Sequence, residues 1–176
     1  MEEVYISVDV ETVGPEPGDF SMVQFGACVV GKETEDFLVD IKPINDNFMP
    51  ATLELFKTTM EGLYKRGEYA PIAMFKIAAW VIEVSKGRLP VLVCYSPFDW
   101  KFVSWYFNKF LGYNPFKNGV VEIRSYYMGM MKCLWQNAVK KRMDSRFQTA
   151  KPHTHNALDD AVEQADIFKK MLDFHH

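Results

Sequence analysis

An α/β fold on a mixed sheet, antiparallel at first and parallel later, is what three observations predict. Three apolar, β-branched runs joined by short turns open the chain. Segments with helical spacing follow them. Among the helices lies one short, continuous apolar run, Leu89 to Tyr95, of the kind that forms a strand buried on both faces.

Val4-Tyr5-Ile6-Ser7-Val8-Asp9-Val10 reads as the first strand, and Gly14 to Asp19 as a loop marked by its breakers. Met22 to Val30 is the second strand and Gly31-Lys32-Glu33 a turn. Phe37 to Ile41 is the third, stopped by Pro43. Short connections make these three an antiparallel meander. Leu53 to Leu63 and Ile72 to Val84 carry helical spacing, with Ile72, Phe75, Ala79 and Ile82 on one face. After the buried strand, Phe98, Phe102, Tyr106 and Phe110 recur every four residues, and Gly112 supplies a stop, which makes a helix. Val120 to Ile123 is one more strand before a helix from Ser125 to about Val139. Lys140 to Lys151 is polar and basic. The last helix runs from about Asn156, with Leu158, Ala161, Ala165, Phe168 and Leu172 as its core stripe.

The chain has 176 residues, 48% of them hydrophobic, which suits one globular domain spanning residues 1–176. A net charge of −3 argues against coating nucleic acid by bulk charge. It leaves room for an enzyme that grips a strand end through a local basic patch. Cys28, Cys94 and Cys133 are odd in number and show no C-x-x-C, so they read as free thiols in a reducing, cytoplasmic setting. No signal peptide or membrane span is visible. His175 and His176 end the chain and carry no functional argument.

Four carboxylates and a histidine carry the chemistry. Asp9 and Glu11, one residue apart on a strand, point to the same face. Asp99 follows the buried strand at the opening of a helix, where α/β sheets bind ligands. Asp160 lies in the first turn or two of the last helix, and His155 just precedes it. Each alone has an ordinary explanation, such as a carboxylate favoured by a helix dipole. Together, beside apolar runs, they call for a partner, because buried carboxylates are paired or bind metal. Oxygen donors of this kind suit hard cations such as Mg²⁺ or Mn²⁺.

The three stretches resemble the three motifs of the DEDD superfamily of 3′–5′ exonucleases. Asp9 and Glu11 match the D-x-E of the first motif, Asp99 the aspartate of the second, and Asp160 that of the third. His155, five residues before Asp160, matches the H-x-x-x-x-D pattern of the DEDDh branch, which includes proofreading subunits, ribonuclease T and oligoribonuclease. The DEDDy branch would place a tyrosine where Asn156 stands. Two departures affect the surroundings rather than the carboxylates. Tyr95 and Ser96 stand where many relatives have His-Asn, and Thr12-Val13-Gly14 where many have Thr-Thr-Gly.

The resemblance implies a ribonuclease-H-like fold and hydrolysis of phosphodiesters at the 3′ ends of single-stranded DNA or RNA, releasing nucleoside 5′-monophosphates. It implies two divalent ions, Mg²⁺ or Mn²⁺, about 3.5–4 Å apart. Asp9 would bridge them, Glu11 and Asp160 would complete one site, and Asp99 would hold the second ion. His155 would be the general base, since an ordinary imidazole titrates at about 6.5. Several relatives are homodimers, which makes a homodimer an expectation here by analogy. Thr12 and Val13 are candidates for backbone contact with the terminal nucleotide. Phe98 and Trp100 flank Asp99 as candidates for base stacking, with core packing the alternative. Lys140, Lys141 and Arg142 are candidates for funnelling phosphates, with a solvated loop the alternative. His153 lacks the spacing of His155 and reads as a loop residue. A catalytically silent nucleic-acid-binding or scaffolding domain of the same fold is the competing function, and an unrelated metal hydrolase a third. DNA and RNA remain alternatives at this level.

Overall fold

The computed structural model describes residues 2–151 and 154–174; His153, His175 and His176 lie outside them. Five strands, β1 (Glu3–Thr12), β2 (Met22–Val29), β3 (Lys32–Asp40), β4 (Leu89–Cys94) and β5 (Val120–Glu122), form one sheet in the order β3-β2-β1-β4-β5. The first three make the expected antiparallel meander, and β4 and β5 join parallel to β1. The helices are α1 (Pro50–Leu55), α2 (Met60–Arg66), α3 (Ala70–Ser85), α4 (Pro97–Leu111), α5 (Ile123–Met131) and α6 (Ala157–Asp173).

The period-two alternation of β1 divides the molecule. Val4, Ile6, Val8 and Val10 are buried with residues of α3 and α4 in the main core. Each such aliphatic side chain contributes roughly 1.5–3 kcal/mol by leaving water. Tyr5, Ser7, Asp9 and Glu11 turn to the opposite face, which α6 covers. The Tyr5 ring lies edge-on to Phe168 with centroids 5.5 Å apart. Ser7 donates its hydroxyl to the Ala161 carbonyl at 2.7 Å. Gly26 stands opposite Asp9 in the β1–β2 pairing. A Cβ there would collide with the backbone of Ala157 and Leu158, so only glycine lets the start of α6 come down onto the sheet.

Several elements differ from the sequence expectation. The helix expected over 53–63 is two short ones, because the Thr59 hydroxyl accepts from the Gly62 N–H at 3.1 Å and starts a new helix. Lys57, in the left-handed region at φ 49°, turns the chain between them. β3 begins at Lys32, because a two-residue turn at Val30-Gly31, with Gly31 at φ 78°, suffices. β5 stops at Glu122, whose carboxylate caps α5 by accepting from Arg124 and Ser125 N–H. α5 ends at Met131, not near Val139, where Lys132 turns left-handed, and a 3₁₀ turn, Trp135–Asn137, follows.

The core face of α3 is also different from the one expected. Ala73, Met74, Ile77, Ala78, Val81 and Val84 are buried, whereas Ile72, Phe75 and Ile82 are 49%, 65% and 60% exposed. α3 is apolar nearly all round, so its periodicity supports more than one face, and the sheet beneath decides between them. In α6 the stripe holds: Ala161, Ala165 and Phe168 are buried, and Leu158 and Leu172 half-buried. The basic segment after residue 140 is not wholly a solvated loop. It carries two 3₁₀ turns, Lys140–Arg142 and Ser145–Phe147, and buries Met143 and Phe147. Cys28 and Cys94 are free and buried, and burial pushes the Cys28 thiol up to about 12. No helix among the described residues is long and apolar enough to cross a membrane.

Candidate active site

The pairing of β4 with β1 ends at Ser7, so β1 runs on beyond its parallel neighbour. The backbone N–H groups of Val10 in that overhang, of Ser96 and of Asp99 itself lie near the Asp99 carboxylate and favour its charged form. Asp99 sits in the first turn of α4. Ser96 caps that helix by accepting from the Phe98 N–H at 3.3 Å. Asp99 is thereby fixed beside β1 with only 6% exposure.

Asp160, 1% exposed, is held from the other side. Its carboxylate accepts from the Thr154 N–H at 2.9 Å and from the His155 N–H at 3.2 Å. His155 takes a left-handed conformation, φ 57°, just before the Asn156 cap of α6. The Asp160 carboxylate thus braces the bend that presents the imidazole. Ligand atoms of Glu11, His155 and Asp160 all lie within 4.8 Å of one another.

Asp9 lies among these groups, close enough to Asp99, Glu11 and Asp160 to be destabilised by their charges. The Gln164 amide donates to Asp9 Oδ1 at 2.6 Å, and its carbonyl oxygen accepts from the Tyr95 N–H at 3.0 Å. Gln164, 2% exposed, thereby ties Asp9 to the end of β4. Gln24 does similar work next door. Its oxygen accepts from the Ala157 N–H at 2.8 Å, and its amide donates to Asp40 at 2.8 Å, which seats the first turn of α6 on β2. The expectations did not include either glutamine. Gln164 had one readable signal: it stands four residues after Asp160, on the same face of the helix.

The cluster raises the pKa values of Asp9, Glu11 and Asp99. Burial, then the charges of Asp99, Glu11 and Asp160, hold Asp9 well above the usual carboxylate range, opposed by Gln164. Glu11 is pushed up to about 7 by burial and then by Asp160 and Asp99. Burial raises Asp99 to about 7 against the backbone donors and Lys140, which lower it. A divalent cation removes this conflict, and the all-oxygen carboxylate set with one adjacent imidazole fits a hard ion.

The metal-free protein therefore has an expected pH dependence. Raised carboxylate pKa values mean that the folded chain keeps protons that the unfolded chain has released. The stability they contribute is complete below about pH 4 and is lost as pH rises through about 7. Within that window each group removes up to about 1.4 kcal/mol per pH unit. With chelator present, the unfolding midpoint should fall between pH 5 and 8, and Mg²⁺ should restore it at pH 8 far more than at pH 5. A midpoint that rises with pH in chelator contradicts the clustered-charge account.

The other candidates occupy different places. Thr12 donates its hydroxyl to the Gly14 carbonyl at 2.9 Å. Val13 is fully buried; its N–H donates to the Ser21 carbonyl, and its own carbonyl accepts from Met49. Phe98 packs on Phe102, ring centroids 5.0 Å apart, and Trp100 packs partly against the same core. Lys140 pairs with Glu163 at 2.6 Å and donates its backbone N–H to the Tyr95 hydroxyl at 2.7 Å. Lys141 and Arg142 are exposed. Beside Glu11 and His155 opens a cavity of about 170 Å³, also lined by Val23, Gln24, Phe56, Arg66 and Asn156.

Comparison with known proteins shows the family and the fold. Residues 6–168 match the family described as RNase_T, exonuclease. The chain is 36% identical over 173 residues to the 3′-5′ DNA exonuclease Cap18 of Escherichia coli, covering 96% of this chain and 91% of that protein. Its fold is shared with the nuclease domain of 3′hExo, a DEDDh family member bound to rAMP. That likeness has a TM-score of 0.74 at 18% identity, over 97% of this chain and 92% of the other. Exonuclease I of Escherichia coli, in complex with a dT13 oligonucleotide, matches with a TM-score of 0.71 at 15% identity, over 98% of this chain and 43% of its own. The chain belongs to the RNase_T exonuclease family and is a 3′–5′ exonuclease.

Proposed function

We propose that the chain removes nucleotides from the 3′ end of single-stranded DNA, using divalent ions held by Asp9, Glu11, Asp99 and Asp160 and a proton acceptor in His155. The observation that carries this reading is the meeting of Glu11, His155 and Asp160 within 4.8 Å, beside Asp9 and Asp99. Two bound ions, Mg²⁺ or Mn²⁺, would acidify water and offset charge on the phosphate oxygens. The chain's own residues do the rest. Gln164 holds one Asp9 oxygen in place, so the carboxylate that faces all the others keeps a single orientation. His155 stands on the exposed rim of the cluster, where it accepts the proton of the attacking water. As water adds to phosphorus, the bond to the 3′ oxygen of the preceding nucleotide breaks. That oxygen takes a proton from solvent, and a nucleoside 5′-monophosphate leaves. The cavity beside Glu11 and His155 receives the terminal nucleotide.

DNA is the favoured substrate because the relative at 36% identity is named a DNA exonuclease. RNA is the second reading, favoured by the rAMP bound to 3′hExo on the shared fold. The test uses matched single-stranded DNA and RNA oligonucleotides, labelled at either end, in Mg²⁺ or Mn²⁺. A 5′-labelled DNA should shorten one nucleotide at a time, and a 3′-labelled DNA should release its label at once as a mononucleotide. Faster degradation of RNA reverses the substrate assignment. No degradation of either in any divalent metal would leave the silent-scaffold alternative.

A further inference from the structure

A second feature lies beyond the carboxylate cluster, at the same carboxyl-terminal end of the parallel strands. β5 runs parallel to β4, with Glu122 opposite Cys94, so Arg124 emerges just past the sheet as Ser96 does beside it. The Arg124 guanidinium stacks on the Trp135 ring, 3.9 Å from its centroid. It also donates from Nε to the Ala138 carbonyl at 3.2 Å. Arg142 donates to the Gln136 carbonyl of the same turn at 3.1 Å. Two guanidinium groups thus brace the 3₁₀ turn that carries Trp135. Each has five N–H donors, so most remain for an anion. Trp135 is 45% exposed and its neighbour Leu134 66%, on a three-residue turn with no buried residue. Ring surface kept in water, stacked on one fixed guanidinium with a second on the same turn, has the chemistry of a stacking platform for single-stranded nucleic acid.

The platform is joined to the cluster by a short chain of contacts. Lys140, two residues before Arg142, donates its N–H to the Tyr95 hydroxyl and holds its ammonium 4.8 Å from the Tyr95 ring centroid. The Tyr95 N–H donates to Gln164, whose amide reaches Asp9. The guanidinium groups of Arg124 and Arg142 complement a phosphate backbone.

We propose that Arg124, Trp135 and Arg142 bind the part of a single strand on the 5′ side of the scissile bond. Trp135 stacks on a base, and the two guanidinium groups meet the flanking phosphates. This rests on the reading that a 3′ end enters the carboxylate cluster. The site discriminates by length: a dinucleotide is too short to reach it, while a longer strand gains affinity there.

Trp135→Ala tests it with two substrates and one binding measurement. KM for a twelve-nucleotide oligothymidylate should rise about tenfold, the loss of one stacked base, with kcat unchanged. Cleavage of a thymidine dinucleotide should be unaffected, and Trp135→Phe should recover most of the affinity. Fluorescence anisotropy with a labelled twelve-mer made resistant by phosphorothioate linkages at its 3′ end should show the same tenfold weakening. An unchanged KM and anisotropy, or an equal loss on dinucleotide and twelve-mer, overturns the platform and leaves Trp135 a brace between α5 and its following turn. Anisotropy reads the platform without turnover. A wild-type chain that binds the strand at Trp135 but cuts neither substrate would defeat the exonuclease mechanism and not the platform.

Discussion

Asp9→Asn should lower divalent-metal-dependent release of mononucleotides by about 10³-fold or more and, at pH 8 in chelator, should raise the unfolding midpoint. The two effects have one cause. Asp9 sits against the charges of Asp99, Glu11 and Asp160 and is held by Gln164, so its carboxylate is the member most exposed to the others' repulsion. Deleting that charge forfeits several kcal/mol of charge stabilisation by bound metal, and each 1.36 kcal/mol is a factor of ten in rate. The same deletion relieves repulsion in the metal-free fold. Asparagine keeps the shape, so core packing is not disturbed. Steady-state kinetics across a wide range of Mg²⁺ and Mn²⁺ concentrations measure the first effect, and thermal unfolding in chelator the second. Wild-type activity in the variant would remove Asp9 from the metal site. A lowered midpoint would mean that Asp9 is not in repulsive contact.

His155→Asn should reduce kcat by about 10²- to 10⁴-fold, the usual contribution of a positioned general base, with KM and Mn²⁺ affinity much less affected. Asparagine is the informative choice because His155 has φ 57°, a region that asparagine tolerates and alanine does not favour. The bend braced by the Asp160 carboxylate through the Thr154 and His155 N–H groups is then retained. Isothermal titration with Mn²⁺ separates a missing base from a missing ligand. Full kcat in the variant would assign the proton to another acceptor.

Much of this site was legible because its determinants are local. D-x-E on a strand places Asp9 and Glu11 on one face by the period of the chain alone. The five-residue interval between His155 and Asp160 spans a helix start, and Asn156 caps the helix between them. The β-branched runs, Pro43 and Gly112 mark their elements by intrinsic preference and backbone permission. The failures are equally physical. In α3 the apolar residues surround the helix, so Ile72, Phe75 and Ile82 fit a stripe as well as Met74, Ile77 and Val81 do. The break at Lys57 to Thr59 and the stop at Lys132 depend on single capping bonds and left-handed residues, which a periodicity of apolar residues does not report.

By itself the sequence determined the α/β order and the antiparallel opening and parallel continuation of the sheet, while its resemblance to the DEDD motifs singled out the four carboxylates and the histidine. These depend on interactions within a few residues, or on a pattern repeated along one element. Only the tertiary structure decided what surrounds that set. Gln164 reaches Asp9 from 155 residues away in the chain, and Gln24 reaches Ala157 across 133. Gly26 admits α6 to the sheet because a backbone approaches it there. Trp135 becomes a platform only because Arg124 and Arg142 both close on its turn. Such contacts are set by how β1, β4 and α6 meet in space, and no local preference of the residues involved encodes that meeting.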